Sequence, residues 1–345
     1  MRTTIDRLYP DIWLQVFEYF NAQELCFSLI HITKQADDVL FNINHRFCLR
    51  GLVLDTHVQI LPEQLLLRQV ISLEVHQNNH LDNIQQCLEL RSLKLIGHPE
   101  WIISILGKIS HANSKHEQLT LVIPGIGLLH NLFASISSLL SLRRLEIYGD
   151  QLEERIKSGT SFLAQTKIEQ FILHSCSPMS WNDLSSMLPG LFNIRFLDIT
   201  LIHLSKNSLC SFVFPKLRSV SLILLEVPFD CIIQLATTMP SLVKLKINGL
   251  VDAEGFVVNN KWLNLLESCS SLIKVTVSLS LEQGTNCYYN ELIQTALHGL
   301  NLNLRYIDDD YEYDLDRDNQ FRWWNLSGVM IKKGGHMFEK YQTPS

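Results

Sequence analysis

The chain contains 345 residues, of which 46% are hydrophobic and 19% are charged, and this composition is too apolar for a disordered protein. The formal net charge of -6 gives no global reason to expect nucleic acid or an anionic membrane as a partner. The sequence begins without the apolar run of a secretory signal, so we expect a cytoplasmic or nuclear protein.

The first predicted element is an amphipathic helix, in which Pro10 suits the first turn. Its apolar residues recur at helical spacing and form one stripe, at Leu8, Ile12, Trp13, Val16, Phe17 and Phe20. A second helix is expected after Asn21, which can cap it, while Glu24 completes a capping box. A third helical segment is expected at about 33–47. Three short helices hardly make a core of their own, so they need the next segment of chain or a partner.

This helical run resembles an F-box. The F-box pattern falls on Leu8, Ile12, Val16, Phe17, Tyr19 and Phe20, with Asp11 in the acidic position. The proline stands one place late, at Pro10, and the tryptophan often found in the third helix is absent. The resemblance implies docking on a Skp-type adaptor through a partly exposed stripe, with the adaptor-binding residues Leu8, Pro10, Ile12, Val16, Phe17, Phe20, Leu25 and Leu29.

From residue 49 onward a six-residue phrase recurs, with apolar residues in its first, fourth and sixth positions. Leu145 and Ile147 are the fourth and sixth residues of one copy, and their spacing points them to the same face of a strand. Such a strand cannot bury its apolar face alone, but stacked units share a continuous core. The segments between phrases carry apolar residues at helical spacing. The fourth-position residues stand at 52, 73, 93, 119, 145, 171, 197, 220, 245 and 275.

This repeat resembles the leucine-rich repeat of the long, ribonuclease-inhibitor-like or F-box type. The implied fold is α/β, a leucine-rich-repeat solenoid or horseshoe of about ten repeats over residues 49–307. An F-box-like helical module at 1–48 precedes it, and an acidic and aromatic cap or tail at 308–345 follows. The uncharged stretch 120–142 is interrupted by proline, glycine and serine, so we predict a repeat helix there and no transmembrane segment.

Strand alternation predicts the surface that a partner would contact, because the third, fifth and seventh positions of each phrase face away from the core onto the concave sheet. Exposed apolar anchors ringed by charge suit a protein interface, and lysines on later repeats predict contact with an acidic region. A flanking loop or the C-terminal segment could instead cover this patch. The predicted substrate-binding residues are Arg144, Glu146, Tyr148, Ile172, Phe196, Asp198, Lys244, Lys246 and Lys274.

Beyond the last phrase the segment 308–318 is strongly acidic and is followed by aromatic residues. We expect an end cap for the array. A calcium loop is the alternative, because Asp314, Asp316 and Asp318 imitate the first ligands of an EF-hand. Asn319 stands where that loop requires glycine.

No catalytic, nucleotide-binding or metal-binding motif occurs in the sequence. The thirteen histidines are scattered, and His76 and His174 are expected on the solvated surface. The eight cysteines show no C-x-x-C pair and are expected to be small buried apolar residues. We therefore predict a protein that is not an enzyme and that needs no cofactor and no metal.

Together the two resemblances imply a protein similar to the substrate receptors of cullin–RING (SCF-type) ubiquitin ligases. The F-box helices would dock on a Skp-type adaptor, and the concave sheet would hold a protein substrate. The alternative is a non-ligase scaffold whose degenerate F-box caps the N-terminal end of the array, and the displaced Pro10 keeps it open. An enzyme or enzyme regulator of another class is a third hypothesis. No nucleic acid and no membrane is expected as a partner.

Overall fold

In the computed structural model the chain forms two compact units, residues 1–154 with 165–167 and residues 155–164 with 168–345. Both units are mixed α/β, and most of their strands are parallel. The structure describes residues 5, 8–41, 48–55, 67–76, 81–112, 115–124, 129–149, 167–175, 191–202, 213–253, 255–282, 297–307 and 323–332.

The first unit opens with three short helices, as the sequence predicted. The capping box is present, since the Asn21 side chain accepts a hydrogen bond from the Glu24 N–H at 2.8 Å and the Glu24 carboxylate accepts one from the Asn21 N–H at 2.8 Å. Thr33 caps the third helix through the Ala36 N–H. The helices are α1 (Pro10–Phe17), α2 (Ala22–Glu24), which continues into a π-helical turn (Leu25–Leu29), and α3 (Lys34–Leu40).

Five parallel strands follow in the order of the sequence. The fourth-position residues of successive phrases are in register, so Leu52, Leu73, Leu93, Leu119 and Leu145 lie side by side. This register confirms the strand positions that the repeat predicted. The strands are β1 (Leu52–Leu54), β2 (Ser72–Val75), β3 (Ser92–Ile96), β4 (Gln118–Ile123) and β5 (Arg144–Gly149).

Helices connect the strands of the first unit wherever the connections are described. They are α4 (Leu81–Gln86), α5 (Pro99–Ala112) and α6 (Leu129–Ser137), and each packs on the next. Because neighbouring parallel strands are joined by right-handed crossovers, consecutive connections fall on one face of the sheet.

The second unit repeats this arrangement. Its parallel strands place Phe171, Leu197, Val220, Leu245 and Val275 side by side. The strands are β6 (Gln170–Ser175), β7 (Phe196–Ile202), β8 (Ser219–Leu225), β9 (Lys244–Asp252) and β10 (Lys274–Glu282), and the described helices are α7 (Phe229–Thr237) and α8 (Asn259–Ser268).

An aromatic cluster forms the centre of the helical layer in the second unit. Phe229, Phe256 and Trp262 are buried and meet edge to face. The Trp262 indole N–H donates to the Phe256 carbonyl at 2.8 Å, which satisfies the polar atom of this buried ring.

The second unit ends with two antiparallel strands, β11 (Leu302–Ile307) and β12 (Trp323–Ile331). Strand β12 lies between β10 and β11 and pairs with both. The sequence had placed 323–331 in a cap or tail beyond the array, whereas these residues are a strand within the sheet. The six-residue phrase does not predict this strand. The buried residues of β12, Leu326 and Met330, flank Gly328 and do not follow the pattern of the phrase.

The two faces of the strands differ as alternation predicts. Burial alternates along β2 to β5, with fourth- and sixth-position residues buried and the intervening residues at least partly accessible. We call the side of each unit's strands opposite the described connecting helices the outward face. None of the described helices has the length and apolar composition needed to cross a bilayer.

Candidate protein-binding surfaces

The apolar residues of α1 divide between two sides of the helix. Trp13 and Phe17 are buried, with ring centroids 5.6 Å apart, and α1 packs against α3. Ile12 and Val16 lie one position earlier in the helical repeat, so they face about 100° away. The stripe predicted from sequence therefore splits into a core side and an accessible side.

Two predicted adaptor contacts fall on the core side. Phe17 and Leu25 are both 0% exposed, and they therefore stabilise the module itself. Within the stripe that was predicted to be partly exposed, Phe17 is thus on the buried side. Helical periodicity marks both residues as apolar, but only the packing of α1 on α3 decides which side a partner can reach.

The other predicted contacts remain accessible. Ile12 is 40% exposed and Phe20 is 37% exposed, Pro10 is exposed, and Leu8, Val16 and Leu29 are half-buried. Sequence reasoning missed Tyr9, which is 75% exposed and lies one helical turn from Ile12. We call the side formed by Leu8, Tyr9, Ile12, Val16 and Phe20 the apolar face of the module.

A different part of the module contacts the first strand. The Gln23 side-chain carbonyl accepts a hydrogen bond from the Val53 N–H at 3.3 Å, and the Ala22 N–H donates to the Arg50 carbonyl at 2.6 Å. Helix α2 thus satisfies polar groups at the edge strand β1, and the apolar face of α1 takes no part in this contact.

The outward face of the first unit carries a charged network on β2 and β3. Glu74 lies 2.7 Å from the His76 imidazole and 3.1 Å from the Lys94 ammonium. Partial burial opposes ionisation of Glu74, but the hydrogen bonds from His76 and Lys94 outweigh it and hold its pKa below the ordinary value. His76, predicted as a solvated residue, is therefore half-buried and paired.

A second network lies on β5. The Arg144 guanidinium pairs with Glu146, and the Tyr148 hydroxyl donates to the other Glu146 carboxylate oxygen at 3.1 Å. Tyr148 is half-buried. The predicted residues Arg144, Glu146 and Tyr148 are thus brought together. Glu146 binds both of the others, so its carboxylate orients the tyrosine and is not open to a partner.

The second unit holds the other predicted anchors. Phe196 is half-buried and accessible, but Ile172 is only 6% exposed and the expectation that it is an exposed anchor is wrong. Ile172 pairs with Asp198 of β7, and Asp198 lies 3.6 Å from the His174 imidazole. Ile172 is therefore a packed residue of the second unit and does not offer an open apolar anchor.

The three predicted lysines form a cluster, as they lie on adjoining strands. Lys244 and Lys274 are directly paired across β9 and β10, and Lys246 lies two residues along β9. All three are exposed, and within the described residues none of them forms an ion pair. Arg218, which precedes β8, is also exposed, and its carbonyl accepts from the Lys244 N–H at 3.0 Å.

The described residues hold no group of three or more metal-ligating side chains. The predicted calcium ligands at 314–318 lie outside the described residues, while Asn325, at the last position of that motif, is paired in β12. Cys87, Cys231 and Cys269 are buried and Cys48 is exposed. Burial raises the pKa of the Cys87 thiol to about 12, so it is a packing residue at neutral pH.

No protein-family model and no curated protein matches this chain. The features of the chain that bear on its function are therefore its surfaces. These are the apolar face of the N-terminal module and the outward face of the strands, and both have the chemistry of protein contacts.

Proposed function

We propose that the chain is a substrate receptor of a cullin–RING ubiquitin ligase. Its F-box-like module binds a Skp-type adaptor, and its strands, as a leucine-rich-repeat solenoid, present a face that binds a protein substrate. The receptor itself carries no catalytic residue, and its activity consists of bringing a substrate to the ligase.

One observation supports this proposal: the residues of the N-terminal module that pack its core and contact the strands are different from those of its apolar face. Helix α2 contacts β1 through Ala22 and Gln23, and Trp13 and Phe17 fill the space between α1 and α3. Neither role uses the apolar face, which leaves Tyr9 75% and Ile12 40% exposed. A contiguous apolar surface on a folded module is a mark of a protein-binding site.

The strand array supports the second half of the proposal. A sheet of short parallel strands with in-register phrases offers successive side chains of the outward face in straight rows, and repeat proteins use such extended surfaces for binding. The polar groups on this face include ion pairs, lysines that have no ion pair within the described residues, and the Thr200 hydroxyl, which lies 3.4 Å from the His174 imidazole beside Asp198. Thr200 is only 9% exposed, so its hydroxyl is poorly accessible to a substrate.

The adaptor interaction provides the test. Ile12→Asp places a charge on the apolar face and is expected to weaken co-purification with a Skp-type adaptor by at least about tenfold, since a desolvated charge costs several kcal/mol at an interface. Leu88→Asp is the matched control, because Leu88 is also an exposed aliphatic residue of the first unit. Both variants should keep the wild-type circular dichroism. An adaptor that does not bind the wild-type chain, or that binds both variants equally, contradicts the proposal.

A non-ligase scaffold is the second candidate, and the contacts of α2 with β1 favour it. Through these contacts the module lies against the edge of the sheet, which supports the capping role that a degenerate F-box would retain. Absence of adaptor binding, together with retention of a protein partner by the strand array, would support this candidate.

A further inference from the structure

We propose that the basic cluster, Lys244, Lys246 and Lys274, binds an acidic peptide segment of the protein partner. This inference deepens the proposed function, since it names the chemistry of the substrate region held by the second unit. Its test is designed to fail independently of adaptor binding.

The register of the sheet builds the cluster. Lys244 and Lys274 are direct partners on parallel strands, and parallel strands lie about 4.8 Å apart. Lys246 adds a third ammonium two residues further along β9. Three cations therefore lie together at the beginning of two neighbouring strands.

These charges are uncompensated within the described part of the chain. Two cations on the outward face of the first unit, by contrast, have partners: Lys94 pairs with Glu74 and Arg144 pairs with Glu146. Directly opposed like charges such as Lys244 and Lys274 disfavour the pairing of strands. A protein whose net charge is -6 has concentrated positive charge here, and an anionic ligand relieves the repulsion.

The neighbouring residues favour a peptide over a longer polyanion. In the same row as Lys244 and Lys274, the register continues through the small Ser219 to Phe196 on one side and to Ile331 on the other. An extended peptide can therefore place carboxylates on the lysines and an apolar side chain against Phe196. Asp198 lies two residues beyond Phe196 on β7, in the row of Lys246, and its negative charge disfavours a nucleic acid backbone laid across this surface.

The lysines and Phe196 are expected to have different roles in binding the peptide. Exposed ion pairs are individually weak and screened by salt, so the cluster is expected to govern the association rate and its salt dependence. The apolar contact with Phe196 is expected to govern dissociation, because a buried ring contributes more to affinity than rim charges.

Fluorescence anisotropy with the full chain tests the inference. The probe is a labelled glutamate-rich peptide containing one leucine, and the comparison ligands are its glutamine counterpart and a labelled single-stranded DNA. We expect the glutamate peptide alone to bind. Lys244→Glu combined with Lys274→Glu should weaken it by about tenfold or more and flatten its salt dependence, and the corresponding double change to Gln should have a smaller effect.

Lys108→Glu is the control variant, because Lys108 is an exposed lysine on α5 of the first unit. It should leave peptide binding unchanged. The Lys244/Lys274 variants should also retain adaptor co-purification, so loss of peptide binding and loss of the proposed ligase function can be told apart.

Three results would overturn the inference. One is equal affinity for the glutamate and glutamine peptides, or no binding of either. Another is tighter, Lys274-dependent binding of the DNA, which would make the surface a nucleic acid site. The third is peptide binding that occurs only after the carboxylates of 308–318 are replaced by amides, which would identify the chain's own acidic segment as the occupant.

Discussion

The side-chain carbonyl of Gln23 accepts a hydrogen bond from the backbone N–H of Val53 at 3.3 Å. This contact joins the helical module to the first strand of the sheet. An exposed strand edge can pair with another chain. Helix α2 covers part of the edge of β1, whereas the apolar face of α1 takes no part in this contact. The module therefore combines a structural role with a surface that remains available for binding.

Gln23→Ala tests the structural role. The substitution leaves the Val53 N–H without its acceptor, and we expect it to lower the free energy of unfolding of the first unit by about 1 kcal/mol. Amide hydrogen exchange at Val53 should become faster, while Gln15→Ala on the exposed side of α1 should change neither quantity. Unchanged exchange at Val53 would show that Gln23 does not protect this edge.

The strand register of the second unit predicts opposite outcomes for two neighbouring residues. Leu197 is 0% exposed, so Leu197→Asp buries an unpaired charge and should cost at least about 3 kcal/mol. Asp198 lies on the outward face at 3.6 Å from His174, beyond hydrogen-bond distance, so Asp198→Ala should cost less than about 1 kcal/mol. Urea unfolding measures both. Equal losses would mean that the register is shifted by one residue.

Buried His116 makes the first unit sensitive to pH. It occupies a first position of the phrase and is 3% exposed. Its Nδ1–H donates to the Leu90 carbonyl at 3.0 Å, while Nε2 is buried and has no hydrogen-bond partner among the residues that the structure describes. Burial lowers the pKa of His116 below its ordinary value of 6.5, because a proton on Nε2 would have no acceptor.

The sign of the effect follows from proton linkage. Below about pH 6.5 His116 becomes protonated in the unfolded chain but stays neutral in the folded chain. The free energy of unfolding therefore decreases as the pH falls, by up to about 1.4 kcal/mol per pH unit. His116→Leu, which restores the usual apolar residue, should flatten that dependence. Thermal unfolding of both proteins between neutral pH and pH 5 provides the measurement, and identical pH profiles would contradict the assignment.

Two glycines are expected to respond oppositely to alanine. Gly249 in β9 has a φ of 121°, and a Cβ there would lie 2.1 Å from the Leu224 carbonyl oxygen. Gly249→Ala should therefore destabilise the second unit by about 2 kcal/mol or more. Gly107 in α5 has open space around it, so Gly107→Ala should stabilise by roughly 0.5–1 kcal/mol. Denaturant midpoints distinguish the two, and a neutral Gly249→Ala would mean that the strands can separate locally without cost.

The sequence by itself determined the strands and the helix starts. Residues two apart in a strand must share a face, so the spacing of Leu145 and Ile147 predicted a buried pair, and both are 0% exposed. The capping box of Asn21 and Glu24 was equally predictable, because its hydrogen bonds join residues three positions apart. These features depend only on residues close together in the sequence, so short-range sequence patterns are enough to predict them.

Only the tertiary structure decided which apolar residues remain accessible and how the sheet ends. Phe17 and Ile12 are both apolar and share one helix, but packing on α3 buries the first and leaves the second exposed. Ile172 follows the pattern of an outward residue, but it is only 6% exposed. Strand β12 returns from a distant part of the chain to pair antiparallel with β10. Each of these outcomes depends on contacts between residues far apart in sequence, and no short-range periodicity encodes such contacts.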